Sequence, residues 1–216
     1  MTSRREFFTG AGGFCGRGIV DPSDLRKVNL NVEGGFPKVN LDSHTGERFD
    51  FYKDRVNGKV FLITFMSLSD EESQPVTANL REAIRRLGDD KVGREIFINT
   101  ITLDPENDTI EKLQKFAAQH SVPNGWCFLR GDPSDANAVQ QRLYRFNKIG
   151  PNPKLVFYGN AQGNANAWGS FPGLIQPNDI AERITWVMPQ ARPAKLRRAG
   201  PRRLWTHPEA SHNREV

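Results

Sequence analysis

The feature that most constrains the fold is a continuous apolar run, VFLITF, at residues 60–65. An unbroken run of apolar and β-branched residues is typical of a strand that is covered on both faces. A helical pattern follows at residues 75–88, with Pro75 in the first turn and Gly88 at the end. A second apolar strand comes next at residues 95–103. The sequence therefore predicts a β-α-β unit inside a mixed sheet.

Further elements on both sides extend this sheet. Phe49 and Phe51 alternate with a polar residue, which predicts a strand within an N-terminal β-hairpin. Asp108 is predicted to cap the next helix, with Glu111 completing a capping box. The remaining predicted elements are a strand at 126–131, a helix opening at Ser134 or Asp135, an antiparallel pair at 154–168 and a helix at 178–188. This order predicts an α/β fold, a thioredoxin-like three-layer sandwich with a central mixed sheet and flanking helices.

Charge and composition divide the chain into three parts. Residues 190–216 contain seven Lys and Arg residues and two Glu residues, which accounts for the whole formal net charge of +5. This segment has no hydrophobic periodicity, so we predict a basic disordered tail there. We predict a leader and linker at residues 1–33 and one folded domain at residues 34–189.

The basic tail predicts an electrostatic tether to an anionic partner or surface. The side chains expected to carry this contact are Arg197, Arg198, Arg202 and Arg203. A specific nucleic-acid partner is not expected, because Trp205 is the lone aromatic residue among the charges and no nucleic-acid motif accompanies it.

The N-terminal segment leaves two interpretations of the cellular location open. Arg4-Arg5, followed by Glu-Phe-Phe, resembles a twin-arginine export signal. The following segment is rich in glycine, contains Arg17 and meets Pro22 early, so the signal would be degenerate. A working signal predicts a periplasmic or extracytoplasmic protein, and a chance arginine pair predicts a cytoplasmic one. No apolar stretch is long enough to predict a transmembrane span.

The two cysteines, Cys15 and Cys127, are too few to predict a disulfide framework. Cys127 is flanked by aromatic residues and is predicted to be a buried strand thiol. The loop between the first apolar strand and its helix, residues 70–74, reads Asp-Glu-Glu-Ser-Gln and contains no cysteine. Thiol chemistry at this loop is therefore excluded.

Five segments together resemble the Sco/SenC family over residues 36–189. They read FPKVNLDSHTGERFDFY, NGKVFLITFM, PVTANL, ITLDPENDTIEKLQKFA and GWCFLRGDP. The family consists of thioredoxin-fold factors that handle copper during assembly of cytochrome oxidase and related enzymes. The resemblance therefore implies an extracytoplasmic location, a protein partner and a role other than that of an enzyme.

The resemblance also implies where a metal site would lie. The family holds copper with two cysteines separated by three residues and followed by proline, and with a distant histidine. Pro75 takes the proline position, so Asp70 and Gln74 stand at the cysteine positions and Asn152 near the histidine position. Because all three soft ligands are replaced, we expect neither copper nor another cofactor at this site.

Three functions remain open at this point. The first is an accessory or binding module that lacks the copper ligands. The second is an active metallochaperone with a non-standard ligand set. Separately, oxygen atoms of Asp70, Gln74 and Asn152, with Glu71 and Glu72, could hold a hard cation, but the acidic residues are also expected near a helix start, where unpaired N–H groups and the helix dipole favour carboxylates. The third is a thiol oxidoreductase or peroxidase, which the missing loop cysteines disfavour.

The histidines add little to a metal site. His44 is predicted in a turn, and His120 at a helix end, where a cation is favourable. His207 and His212 belong to the tail and could capture Cu(II) or Zn²⁺ only weakly.

Overall fold

The computed structural model describes residues 36–147, 154–163 and 167–189, together with residues 26–27. For residues 26–27 and 146–147 it describes the backbone alone. Several predicted sites lie outside the described residues: Arg4-Arg5, Cys15, Asn152, the four tail arginines, His207 and His212.

Strands and helices alternate along the described chain. The strands are β1 (Arg26–Lys27), β2 (Asn40–Ser43), β3 (Arg48–Asp50), β4 (Val60–Met66), β5 (Ile96–Thr102), β6 (Trp126–Arg130), β7 (Leu155–Asn160) and β8 (Ala167–Pro172). The α-helices are α1 (Leu68–Glu71), α2 (Val76–Leu87), α3 (Ile110–Gln119), α4 (Pro133–Asn147) and α5 (Pro177–Val187). A π-helix spans Phe51–Val56 and a 3₁₀-helix Asp89–Lys91.

The strands form one mixed sheet in the order β1-β8-β7-β4-β5-β6-β2-β3. β4, β5 and β6 are parallel, whereas β7 and β8 pair with each other in antiparallel register. The predicted β-α-β unit and antiparallel pair are therefore confirmed. The parallel strands end at Met66, Thr102 and Arg130, and we call this side of the sheet the upper edge.

The sheet separates two hydrophobic layers, which confirms the three-layer α/β architecture. All seven residues of β4 are buried, as their unbroken apolar pattern predicts. One face of the sheet packs against buried side chains of α2, α3 and α5. The other face packs against α4 and the π-helix. Among the described residues, no helix combines the length and apolar character that crossing a bilayer requires.

Two local predictions are wrong. The strand that was expected to include Phe51 ends at Asp50, whose side chain accepts a hydrogen bond from the backbone N–H of Lys53 and opens the π-helix. The helix cap predicted at Asp108 is Thr109, which accepts from the backbone N–H of Lys112 at 3.4 Å. The carboxylate of Asp108 instead accepts from the hydroxyl of Thr102 and from the backbone N–H of Leu68, near the upper edge.

One strand also lies within the segment that was predicted to be leader and linker. The backbone of Arg26–Lys27 pairs with Ala167 and Trp168 of β8 and extends the sheet at that edge.

Candidate functional site

The loop after β4 places two of the predicted metal positions next to each other. Ser67 caps the short helix α1, and Asp70 lies within that helix. The backbone N–H of Gln74 donates to the carbonyl of Asp70 at 2.9 Å, so the two residues are one turn apart. Pro75 follows and is the N-cap residue of α2, which begins at Val76. The assignment of Asp70 and Gln74 to the family's two cysteine positions stays a prediction.

Glu71 is the acidic residue that this loop buries. Its side chain is 8% exposed, and its two carboxylate oxygens accept from the backbone N–H of Thr77 at 3.3 and 3.0 Å. Pro75 provides no side-chain cap for α2. The carboxylate of Glu71 takes that role, because it accepts from a backbone N–H in the first turn of the helix. Burial raises the pKa of Glu71 from 4.5 to about 7, although the hydrogen bonds from Thr77 act in the opposite direction.

From the sequence, Glu71 is expected either as one of several carboxylates near a helix start or as a supplementary oxygen ligand, and it is not distinguished there from Asp70 or Glu72. One signal could have indicated its role. The first turn of α2 begins Pro-Val-Thr and lacks an Asp, Asn, Ser or Thr at the capping position, so a carboxylate from the preceding loop is the natural substitute.

A cavity of about 230 Å³ lies beneath the loop at the upper edge. We call it the loop cavity, and the described residues that line it are Phe65, Met66, Asp70, Glu71, Gln74, Val76 and Lys154. The side-chain oxygen of Gln74 is buried and has no hydrogen-bond partner among the described residues. The cavity therefore combines apolar side chains with the charged side chains of Asp70, Glu71 and Lys154.

A wider cleft of about 430 Å³ separates the same loop from α3. It is lined by Leu68, Glu71, Glu72, Lys112, Lys115, Phe116, Gln119 and His120. His120 packs against Phe116 with ring centroids 4.4 Å apart. Burial lowers the pKa of His120, so the cation expected from its position at the helix end is disfavoured.

Asp108 holds the loop to the end of β5. One carboxylate oxygen accepts from the hydroxyl of Thr102 at 2.5 Å and from the backbone N–H of Leu68 at 3.1 Å. Asp108 is 3% exposed, and its bond with Thr102 is buried, whereas its bond with Leu68 is half-buried. This contact fixes where the loop leaves the sheet.

Replacing Asp108 by alanine is expected to destabilise the protein by about 2–4 kcal/mol, because the buried hydroxyl of Thr102 loses its acceptor at roughly 1–3 kcal/mol and the half-buried N–H of Leu68 at about 1 kcal/mol. Denaturant unfolding of the full chain measures the change. Asp108→Asn keeps a carbonyl acceptor and should cost clearly less. Equal stability of Asp108→Ala and the unmodified chain would contradict this role.

Cys127 lies away from the loop. It is 6% exposed, and burial raises the pKa of its thiol. In register it pairs with Asn99, three residues before Thr102, which places it roughly 10 Å below the upper edge. The prediction of a buried strand thiol is confirmed.

The donors in the loop cavity do not fit copper as the family holds it. Cu(I) prefers thiolates and thioethers, whereas Asp70, Glu71 and Gln74 offer oxygen atoms. Among the described residues of the lining, the thioether of Met66 is the one soft donor, and it already contacts the hydroxyl of Thr77 at 3.9 Å. In the part of the chain that the structure describes, no group of three His, Cys, Asp or Glu residues could hold a metal ion.

Comparison with solved structures supports the fold. The copper-bound ScoI of Bradyrhizobium japonicum is 20% identical, with a TM-score of 0.52 over 68% of this chain and 96% of that chain. BsSco, a member of the Sco family of cytochrome c oxidase assembly proteins, is 18% identical, with a TM-score of 0.54 over 69% and 90%. A SCO1/SenC family lipoprotein from Bacillus anthracis strain Ames is 16% identical, with a TM-score of 0.50 over 70% and 94%. At these identities the likeness shows the fold alone.

The family assignment depends on the sequence itself. No curated protein sequence matches the chain significantly. The family model described as SCO1/SenC matches residues 34–154, which is more than half of the chain. This protein therefore belongs to the SCO1/SenC family.

Proposed function

We propose that this SCO1/SenC protein is an accessory or binding module of an extracytoplasmic system for copper handling and oxidase assembly. Membership of the family supports the general role. Two structural relatives support the link to copper handling and oxidase assembly. One is a copper-bound ScoI, and the other belongs to a family of cytochrome c oxidase assembly proteins. On this proposal the protein acts by binding a protein partner and is not an enzyme.

The observation that carries the proposal is the chemistry of the loop. Where the family has thiolates, this chain has Asp70 and Gln74, and the carboxylate of Glu71 occupies the start of α2. Neither carboxylates nor amides perform thiol–disulfide exchange, and they bind Cu(I) poorly. A thiol oxidoreductase or peroxidase function is therefore disfavoured.

The proposal also covers the cellular location of the protein and the role of its basic tail. A lipoprotein among the relatives and the Arg4-Arg5 pair support an extracytoplasmic location. If the leader is not functional, the protein is cytoplasmic. The tail carries the net charge of the chain, so Arg197, Arg198, Arg202 and Arg203 would tether the domain to an anionic surface.

Competition against a colourimetric Cu(I) chelator tests the proposal with the purified full chain. We expect the protein to withdraw no copper, because a loop without thiols cannot compete with a strong chelator. A Cys127→Ala variant is the control for the one cysteine of the domain and should behave identically. Stoichiometric withdrawal would instead support the alternative, an active metallochaperone with a non-standard ligand set.

The assembly role needs a separate measurement. Proteins recovered with the tagged full chain from its native host should include components of an oxidase or of a copper-handling system. Recovery of the chain with unrelated partners only would contradict that part of the proposal.

A further inference from the structure

β1 covers only the beginning of β8, the strand next to it in the sheet. β8 is six residues long, and the two residues of β1 pair with Trp168 and Ala167. Because the pairing is antiparallel, the residues that precede β1 in the chain run towards the end of β8. Continuing the same register places residues 22–25 opposite residues 169–172.

The backbone of β8 offers an N–H group to such a continuation. The N–H of Gly173 donates to the carbonyl of Lys154 on the β7 side, and bonded pairs recur at every second residue of an antiparallel ladder. The backbone groups of Ser170 therefore face away from β7, towards the edge of the sheet. In the continued register the residue opposite Ser170 is Asp24. Backbone pairing ends at Pro172, which has no N–H.

The side chains on this side of the sheet fit Leu25. Gly169 lies opposite Tyr158 of β7, and a Cβ atom on Gly169 would come within 3.0 Å of the Tyr158 ring. The ring therefore covers the place where β8 lacks a side chain. Leu25 stands opposite Gly169 in the continued register, so its side chain would pack over the same ring.

The opposite edge of the sheet, β3, shows how this protein treats an outward-facing donor. The N–H of Phe51 donates to the carbonyl of Val39, so by the same alternation the backbone of Asp50 faces outward. The N–H of Asp50 donates to the carboxylate of Asp54 at 2.9 Å. An open edge donor is a template for pairing with another chain, and here a side chain of the same chain closes it.

We propose that residues 22–25 continue β1 along β8 as an N-terminal edge strand, with Asp24 pairing with the backbone of Ser170 and Leu25 packing over Tyr158. The occupant of this edge is the chain's own N-terminal segment, and the folded domain begins near Pro22 rather than at residue 34. An edge covered in this way is closed to strands of a second copy or of a protein partner.

NMR spectroscopy of the isotope-labelled full chain tests this proposal. In a pair of opposite residues that exchange no hydrogen bonds, the two α-carbons approach most closely. We therefore expect a cross-strand nuclear Overhauser effect between the α-protons of Leu25 and Gly169. The N–H groups of Asp24 and Ser170 should exchange with solvent at least about tenfold more slowly than those of an unstructured chain.

A mixture of labelled and unlabelled full chains identifies the occupant of the edge. The effect between Leu25 and Gly169 should arise within one chain and stay the same when the protein is diluted. An effect between two chains would mean that a second copy supplies the strand, and this result would overturn the proposal. Absence of the effect in the wild-type chain would overturn it as well.

Two proline variants of the full chain form a matched pair. Asp24→Pro removes the N–H that faces Ser170, and we expect it to speed exchange of the Ser170 N–H about fivefold or more. Ser23→Pro removes an N–H that faces solvent, where an edge strand tolerates proline, and should leave that rate unchanged. Equal rates in the two variants would contradict the pairing. The copper and partner experiments do not depend on this outcome, because the inference is independent of the proposed assembly role.

Discussion

Introducing cysteine at Asp70 and Gln74, together with histidine at Asn152, is expected to raise the Cu(I) affinity of the chain by several orders of magnitude. Two thiolates and one imidazole form the donor set that suits copper. Asp70 and Gln74 already lie one turn apart, with the backbone N–H of Gln74 bonded to the carbonyl of Asp70 at 2.9 Å. To bind copper, the loop therefore requires new donor atoms at Asp70 and Gln74, but no change in its backbone conformation.

The measurement is competition of the triple variant against a Cu(I) chelator. The single variants Asp70→Cys and Gln74→Cys are matched controls, because each supplies one thiolate and should compete poorly. A correctly folded triple variant that withdraws no copper would show that these three positions do not correspond to the family's ligands. The experiment is thus a direct test of the alignment of Asp70, Gln74 and Asn152.

The elements that could be predicted from the sequence are those whose pattern reflects burial. β4 lies between two helical layers, and that environment requires the unbroken apolar run at residues 60–65. α2 shows its amphipathic repeat because one side faces the core, where Leu80 and Ile84 are fully buried. Patterns of this kind extend over many residues, so a local exception does not obscure them.

The candidate site was predicted only in part, because its chemistry depends on contacts between distant residues. Three adjacent acidic residues, Asp70, Glu71 and Glu72, look equivalent in the sequence, and the fold buries only Glu71. Likewise, Asp108 and Thr109 are both good helix caps. Thr109 takes that place because Asp108 binds Thr102 and Leu68, 6 and 40 residues away in sequence.

The stability of the protein is expected to fall as the pH rises through about 7, and Glu71 is expected to cause most of that fall. The pKa of Glu71 is about 7 in the folded chain and 4.5 as its ordinary value. Between these pH values the folded chain binds a proton that the unfolded chain has released. The stabilisation from this proton is therefore complete below about pH 4.5 and is lost as the pH passes 7.

The expected loss is about 3 kcal/mol, since each unit of pKa difference corresponds to about 1.4 kcal/mol. Glu71→Gln stays neutral at every pH and retains an oxygen that can accept from the N–H of Thr77. We therefore expect the variant to match the wild type near pH 4 and to exceed its stability by about 3 kcal/mol near pH 8.5. Denaturant unfolding of both full chains across this range measures the difference.

Other titratable and charged groups face Glu71 and must be separated from its effect. They are Asp70, Glu72, Lys112, Lys115, His120 and Lys154. All of them are present in both chains, so their own contributions cancel to first order when the two stability curves are subtracted. Glu72→Gln is the matched control, because its exposed side chain adjoins Glu71 and its removal should leave the pH dependence of the wild type intact. Parallel curves for Glu71→Gln and the wild type would mean that Glu71 stays ionised throughout, and that water or a cation in the loop cavity compensates for its burial.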